Sequence, residues 1–282
     1  MLRGSCLCGE VAFEVDGLAT RMSHCHCSMC RKTHGSAFGS FVWVPDATFR
    51  WLRGEEKIRR RESSPGTPRQ FCPRCGSSVP GAAYAGVRYL PAGLLDDDPK
   101  PAQVEHVFVA SKASWHEIAN TLPRFAEYPP GFGSGVPTAR STEPAPGVVR
   151  GACLCGAVAY EIDAPLEGVI VCCHCSRCRK ARAAAHATNF FAPISRFRWL
   201  RGDDRVDWFK VPEAERFTQA FCRDCGSPVP RLNPVSRMAV IPAGSFEDDP
   251  GVREGAHIFV KSKAPWYEIH DALPQHDEYR PT

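Results

Sequence analysis

The sequence predicts a mainly β protein built as two tandem domains. Three observations carry that prediction: a near end-to-end repeat, short runs of alternating apolar residues, and the same seven cysteines in each copy. A repeat of about 150 residues is far longer than a solenoid unit, so it marks a pair of domains and not an array. "GSCLCGEVAFEVDG" (Gly4–Gly17) returns as "GACLCGAVAYEIDA" (Gly151–Ala164), and "FRWLRG" occurs at Phe49–Gly54 and Phe197–Gly202. "FCPRCGSSVP" (Phe71–Pro80) returns as "FCRDCGSPVP" (Phe221–Pro230), and "HVFVASKASWHEI" as "HIFVKSKAPWYEI". The offset drifts only from 147 to 151 along the chain, so few residues separate the copies.

The elements follow in order. Val11, Phe13 and Val15 alternate with Ala12, Glu14 and Asp16, the pattern of a half-buried strand; Val158, Tyr160 and Ile162 do the same in the second copy. "FVWV", "FRWL" and "HVFV" are short strand candidates rich in aromatic and β-branched residues. Trp115, Ile118 and Leu122 fall at helical spacing, with Ser114 and Glu117 able to form a capping box, so a short helix is expected there. Pro265 replaces Ser114 in the second copy, which suits a first helical turn. Trp115 and Trp266 are read as core residues. Between the copies, "PPGFGSGVPTARSTEPAPG" (Pro129–Gly147) lacks apolar periodicity and reads as a semi-extended linker. The expected organisation is a zinc-binding domain over 1–129, a linker over 130–147 and a second zinc-binding domain over 148–282.

Composition narrows the function. With 43% hydrophobic and 23% charged residues among 282, the chain is of the globular class. It has no apolar run of membrane-spanning length. The start "MLRGSCLCGEVAF" lacks a basic stretch followed by an apolar one, so a cytoplasmic location is expected. In a reducing compartment fifteen cysteines argue for metal binding or redox chemistry over disulfides. The net charge of +4 shows no basic stripe; Arg59, Arg60 and Arg61 form the one tight cluster and have no counterpart in the second copy, so nucleic-acid binding is not expected.

Seven thiols per copy divide into four and three. Cys6, Cys8, Cys72 and Cys75, and in the second copy Cys153, Cys155, Cys222 and Cys225, form two short hooks each, the ligand set of a closed tetrahedral zinc site. "CHCSMC" leaves Cys25, Cys27 and Cys30, and the second copy leaves Cys173, Cys175 and Cys178. Three protein ligands on zinc leave one position for water or substrate, with His24 or His26 as the alternative fourth ligand in the first copy. Thiolate-bound zinc accepts another soft ligand, so a small-molecule thiol is a sensible guest. Arg31 and Lys32, like Arg179 and Lys180, sit one step beyond the cluster as weak candidates for substrate carboxylates. Cys172 has no counterpart, standing opposite His24, and is read as a small buried hydrophobe.

Taken together, these ordered motifs resemble the glutathione-dependent formaldehyde-activating enzyme family, which also includes centromere protein V. "GSCLCGEVAFEV", "CHCSMCRKTHGSAF", "FCPRCGSSVP" and "HVFVASKASWHEIANTLPRF" carry the resemblance, and their second copies extend it over both halves. The resemblance implies a β-rich Mss4-like fold with two zinc ions per domain and four per chain. It assigns Cys6, Cys8, Cys72 and Cys75 to a structural ion, and Cys25, Cys27 and Cys30 to the ion linked to activity. It implies a carbon–sulfur lyase that adds glutathione to formaldehyde. A structural zinc scaffold for a macromolecular partner and thiol–disulfide exchange are the rival readings. Where "THGSAF" becomes "ARAAAH", Gly35 aligns with Ala183 and Phe38 with His186. If Gly35 needs positive φ or close ligand approach, Ala183 closes that option and the first copy is the better candidate for activity.

Overall fold

The structure is a computed structural model, and it describes residues 1–17, 19–131 and 145–280. Most of the expected linker therefore lies outside the described residues. The protein is mainly β, in two halves of matching order. The first half holds β1 (Leu2–Ser5), β2 (Ala12–Val15), β3 (Arg21–Cys25), α1 (Ser28–His34), β4 (Gly39–Pro45), β5 (Phe49–Arg53), β6 (Arg59–Ser64), β7 (Thr67–Phe71), β8 (Val87–Pro91) and β9 (Val104–Val107). In the second half come β10 (Val148–Ala152), β11 (Ala159–Asp163), β12 (Ile170–Cys173), α2 (Ser176–Arg182), β13 (Ala187–Pro193), β14 (Phe197–Arg201) and β15 (Val206–Lys210). They are followed by β16 (Thr218–Cys222), β17 (Arg231–Asn233), β18 (Met238–Pro242), β19 (Glu254–Ile258) and β20 (Gln275–His276).

Each half stacks a three-stranded sheet, β1-β2-β5 or β10-β11-β14, against a larger one and adds a two-stranded ribbon, β6-β7 or β15-β16. The larger sheet runs β8-β4-β3-β9 in the first half; β17 and β20 widen its counterpart to six strands. In both, the strand that ends in the first cysteine of "CHC" is central, antiparallel to the strand after the helix and parallel to the late strand, β9 or β19. The predicted strands at "FVWV", "FRWL" and the start of "HVFV" form. β2 is more deeply covered than alternation suggests, because Glu14 is buried alongside Phe13 and Val15 and paired with Arg50.

The expected helix over Trp115–Leu122 does not form; the segment is a turn followed by irregular backbone. Its tryptophan is committed elsewhere. Trp115 is buried in the core of the second half, among Val149, Tyr160, Ile162 and Phe246. Trp266 is half-buried and packs against both cores. Trp115 buried in the opposite core and Trp266 bridging both join the hydrophobic cores, a large aromatic side chain covering on the order of 200 Å² when fully buried. The two helices that do form were not predicted. Each is seven residues long and follows directly from the cysteine cluster, capped by a cysteine rather than marked by an apolar stripe.

The contact between halves repeats under exchange of the copies. Lys32 pairs with Glu247 at 2.7 Å, and its counterpart Lys180 with Asp96 at 2.7 Å. A Cβ on Gly93 would lie 2.2 Å from the amide nitrogen of Ala184, and one on Gly244 would lie 2.3 Å from the Arg31 carbonyl oxygen. Only glycine lets the turn of one half approach the helix end of the other so closely. Among the described residues no helix is long and apolar enough to cross a membrane.

Candidate metal centres

The four-thiol sets assemble from two hooks. After β1 the chain turns through Cys6–Gly9, where the Gly9 amide donates to the Cys6 carbonyl at 3.0 Å and the Val11 amide to Cys6 Sγ at 3.3 Å. The second hook is the knuckle after β7: the Gly76 amide donates to the Cys72 carbonyl at 2.9 Å, with Gly76 at φ 74°. Ser77 joins the hooks, its Oγ accepting from the Leu7 amide at 3.1 Å and touching Cys75 Sγ at 3.3 Å. The four sulfurs of Cys6, Cys8, Cys72 and Cys75 lie within 4.8 Å of one another, and so do those of Cys153, Cys155, Cys222 and Cys225. Individual gaps of 3.4 and 3.6 Å in the first set are far beyond a sulfur–sulfur bond, and all fifteen cysteines are free. They approximate the edge of about 3.8 Å that a tetrahedron with zinc–sulfur bonds of 2.3 Å requires. Metal-free, the thiols conflict: Cys72 is pushed far up and Cys225 pulled far down, chiefly by hydrogen bonds to their own cluster. A divalent cation removes that conflict by ionising all four. The residues fit a closed zinc site.

The three-cysteine sets are built by a strand end and a helix start. Cys25 closes β3, Cys27 caps α1 with its sulfur accepting from the Cys30 amide at 3.4 Å, and Cys30 lies in the first turn. The sulfurs of Cys25, Cys27 and Cys30 lie within 4.8 Å of one another; Cys173, Cys175 and Cys178 repeat the arrangement. Among the described residues no fourth His, Cys, Asp or Glu atom joins either trio. Each histidine alternative turns one ring nitrogen to a partner outside the trio. His24 Nδ1 meets Ser40 Oγ at 2.9 Å, and His26 Nε2 meets His106 Nδ1 at 2.8 Å.

Aromatic side chains wall each trio. Phe108 and its counterpart Phe259 both hold positive φ, 58° and 57°, an unusual conformation for a bulky residue that recurs here beside both clusters. Tyr128 stands edge-on to Phe108 at 4.6 Å, and burial followed by the nearby thiolates pushes its hydroxyl up to about 12. Tyr279 repeats the contact on Phe259 at 4.8 Å.

The first trio also receives a residue that the sequence reading missed. Arg69 on β7 donates from Nη1 to Cys30 Sγ at 3.5 Å and from Nε to Ser63 Oγ at 3.3 Å. Cys30 is held well below the usual thiol range by hydrogen bonds from Cys25 and Cys27, assisted by the Arg69 charge. The signal was present as the Arg three places before the knuckle, against Gln219 in the copy. Nothing local linked it to a cluster thirty-nine residues away.

Arg31 and Lys32 are placed differently from each other. Lys32 pairs with Glu247 of the second half at 2.7 Å. Arg31 stays beside the trio, donating to the carbonyls of His26 and Ser111, each at 3.4 Å. The Gly35 expectation is also corrected. Gly35 does hold positive φ, 56°, but Ala183 adopts the same conformation at 51°, so the exchange leaves the helix end unchanged. A Cβ on Gly35 would meet Arg182 Nη1 and Pro228, both at 2.9 Å; the glycine makes room for the other half, not for a ligand. Phe38 and His186 face each other across the same contact, ring centroids 5.5 Å apart. Cys172 is buried as expected, its thiol directed at Glu254 Oε1 at 3.4 Å.

Fold and site together define a duplicated β protein whose cysteines gather into four metal-competent sets. A family model described as "Glutathione-dependent formaldehyde-activating enzyme" matches residues 1–111 and 148–262, and the chain belongs to that family. A protein of Halomonas elongata named "Putative glutathione-dependent formaldehyde-activating enzyme" is 33% identical over 141 residues, covering 46% of this chain and 89% of its own. A solved structure from Rhodobacter sphaeroides aligns with 37% of this chain and 99% of its own at 23% identity, with a TM-score of 0.31.

Proposed function

We propose that the protein is a zinc-dependent enzyme that captures a small thiol, glutathione in the first instance, and adds it reversibly to an aldehyde such as formaldehyde. Formally this is carbon–sulfur lyase chemistry: the sulfur–carbon bond forms, the carbonyl π bond opens, and the thiol proton ends on the new hydroxyl. The observation that carries the reading is the contrast between sets of four thiols and sets of three. Four thiols complete a tetrahedron, whereas three leave one position for an exchangeable ligand. Zinc held in the trio would supply a site that deprotonates and fixes an incoming thiol. Cys25, Cys27 and Cys30 hold that position at the bottom of a wall formed by Phe108 and Tyr128. The aromatic wall limits water, and much of the rate gain comes from proximity. We place the trios as the reactive centres, the four-thiol sets as structural, and the domains at 1–129 and 148–282. The setting we infer is the cytoplasm, where these thiols stay reduced.

Metal analysis of the full chain tests this directly. Four zinc ions per chain are expected, falling by one in Cys27→Ser and by one, with loss of stability, in Cys72→Ser. Glutathione is expected to protect the trio zinc from a chelator. Unchanged stoichiometry in Cys27→Ser sinks the ligand grouping, and glutathione without effect on zinc release sinks the thiol-capture step.

A further inference from the structure

Resting on the thiol-capture reading, we propose that Arg69 is the carboxylate anchor of the first trio, making that centre selective for a thiol carrying a negative charge. The guanidinium is planar and forked. One nitrogen, Nη1, rests on Cys30 Sγ at 3.5 Å, and Nε is fixed by Ser63 Oγ at 3.3 Å. Nη2 has no partner among the described residues, while Arg69 as a whole is only half-buried. A guanidinium fastened by two of its nitrogens and open at the third is held ready for a carboxylate oxygen, without the entropy loss of ordering a free side chain. Its distance from Cys30 places such a carboxylate beside a thiol bound at the trio. A single small molecule bearing both groups satisfies both contacts.

The second half supplies an internal control. Register aligns Arg69 with Gln219, because β7 and β16 lead into the two equivalent knuckles. Gln219 is buried, and its Nε2 has no hydrogen-bond partner. An amide has no charge to offer a carboxylate, so this position cannot serve as an ionic anchor in the second centre. The guanidinium groups close enough for Cys178 to influence, Arg182 and Arg231, come from the helix end and from β17. Gly81 stands where Arg231 does, and has no side chain with which to match it. Beyond the helix arginine that both trios share, Arg31 or Arg179, positive charge reaches the two trios from different elements, and among the described residues only the first trio has a guanidinium in contact with its third cysteine.

The test uses the full chain loaded with cobalt(II), whose thiolate charge-transfer absorption reports an incoming thiol without any turnover. Glutathione is compared with its diethyl ester, which keeps the thiol and amine but removes both carboxylate charges. A Cys178→Ser background silences the second centre. Wild-type Arg69 is expected to bind glutathione roughly ten- to hundredfold more tightly than the ester. Arg69→Gln should erase that preference by weakening glutathione alone, while Arg69→Lys should retain part of it. If Arg69→Gln fails to fold, the acid-to-ester ratio in the wild type and in Arg69→Lys still decides. Equal binding of acid and ester to the wild type, or an equal loss of both in the variants, overturns the anchor and leaves thiol capture standing. If neither thiol perturbs the cobalt spectrum, thiol capture itself falls, and the anchor with it.

Discussion

The two halves agree in their cysteine sets and differ at several of the positions where they touch. Both trios repeat the strand end, the cysteine cap near φ −60° and ψ 150°, and the positive-φ phenylalanine. Several contact positions, in contrast, have diverged: His24 against Cys172, His34 against Arg182, Phe38 against His186, and His116 against Tyr267. His116 Nδ1 of the first half meets Glu254 of the second at 2.7 Å, whereas Tyr267, its counterpart, reaches the other half through its ring, with centroids 6.2 Å from Phe38 and 6.4 Å from His24. His34 Nδ1 donates to the Arg182 carbonyl at 2.7 Å. In a symmetric pair of identical chains each such contact would occur twice, residue i against j and j against i, and one substitution would alter both at once. Joining the copies in one chain frees the two contacts to differ. The proposed metal ligation would allow no such freedom, since losing one thiol of a four-thiol set would open the tetrahedron.

Separating the halves gives the largest expected effect. Because Trp115 is lodged in the opposite core and Trp266 bridges both, residues 1–129 and 148–282 produced apart should lack cooperative unfolding transitions and should regain them when mixed. A fully metallated, cooperatively folded single half would break the comparison at its root.

Acidification should cost somewhat less. His24 is held down to about 3, and His106 and His186 to about 4, from an ordinary value of 6.5, chiefly by burial. A depressed histidine is neutral when folded, so the unfolded chain binds more protons once the pH drops below 6.5. Stability present above that value is lost as the pH falls towards 4, at a cost on the order of 3 kcal/mol per imidazole. Denaturant unfolding between pH 7.5 and 5, with zinc release followed in parallel to separate loss of ligation, checks the sign; a flat profile contradicts it.

A smaller, local effect is expected at the reciprocal knuckles. Gly76 and Gly226 both have positive φ, and a Cβ on either would come within 2.4 Å of the ring of Phe221 or Phe71 across the interface. Gly76→Ala should cost roughly 2–3 kcal/mol in thermal or denaturant unfolding, against about 1 kcal/mol for Gly66→Ala, where only the backbone term applies. Equal losses would mean that the cross-half packing is loose. Smallest of all is Ala183→Gly. It relieves an alanine in the left-handed region but removes a buried methyl, and these opposing terms of about 1 kcal/mol each should nearly cancel. A large change in either direction would show that positions 35 and 183 are not equivalent helix ends.

The seven-residue helices escaped the sequence reading because "SMCRKTH" has neither the length nor the apolar stripe that reveals a helix; its start is set by Cys27, a cysteine of the trio acting as the cap. The opposite error at Trp115, Ile118 and Leu122 has the matching cause. Helical spacing there came from Trp115 being placed for the opposite core, and tertiary burial outweighs a weak local propensity. Strand alternation and the paired hooks were legible because a pleat and a tetrahedral ligand set impose short, fixed spacings on neighbouring residues.

By itself, the sequence determined the duplication, the β character and the division of the thiols into fours and threes, since each is written in local spacing or in self-similarity. Tertiary structure alone decided that the cores interlock, that Lys32 pairs with Glu247 of the other half, and that Arg69 reaches Cys30. Those contacts join residues tens to hundreds of positions apart, and their partners share no period that a linear pattern could display.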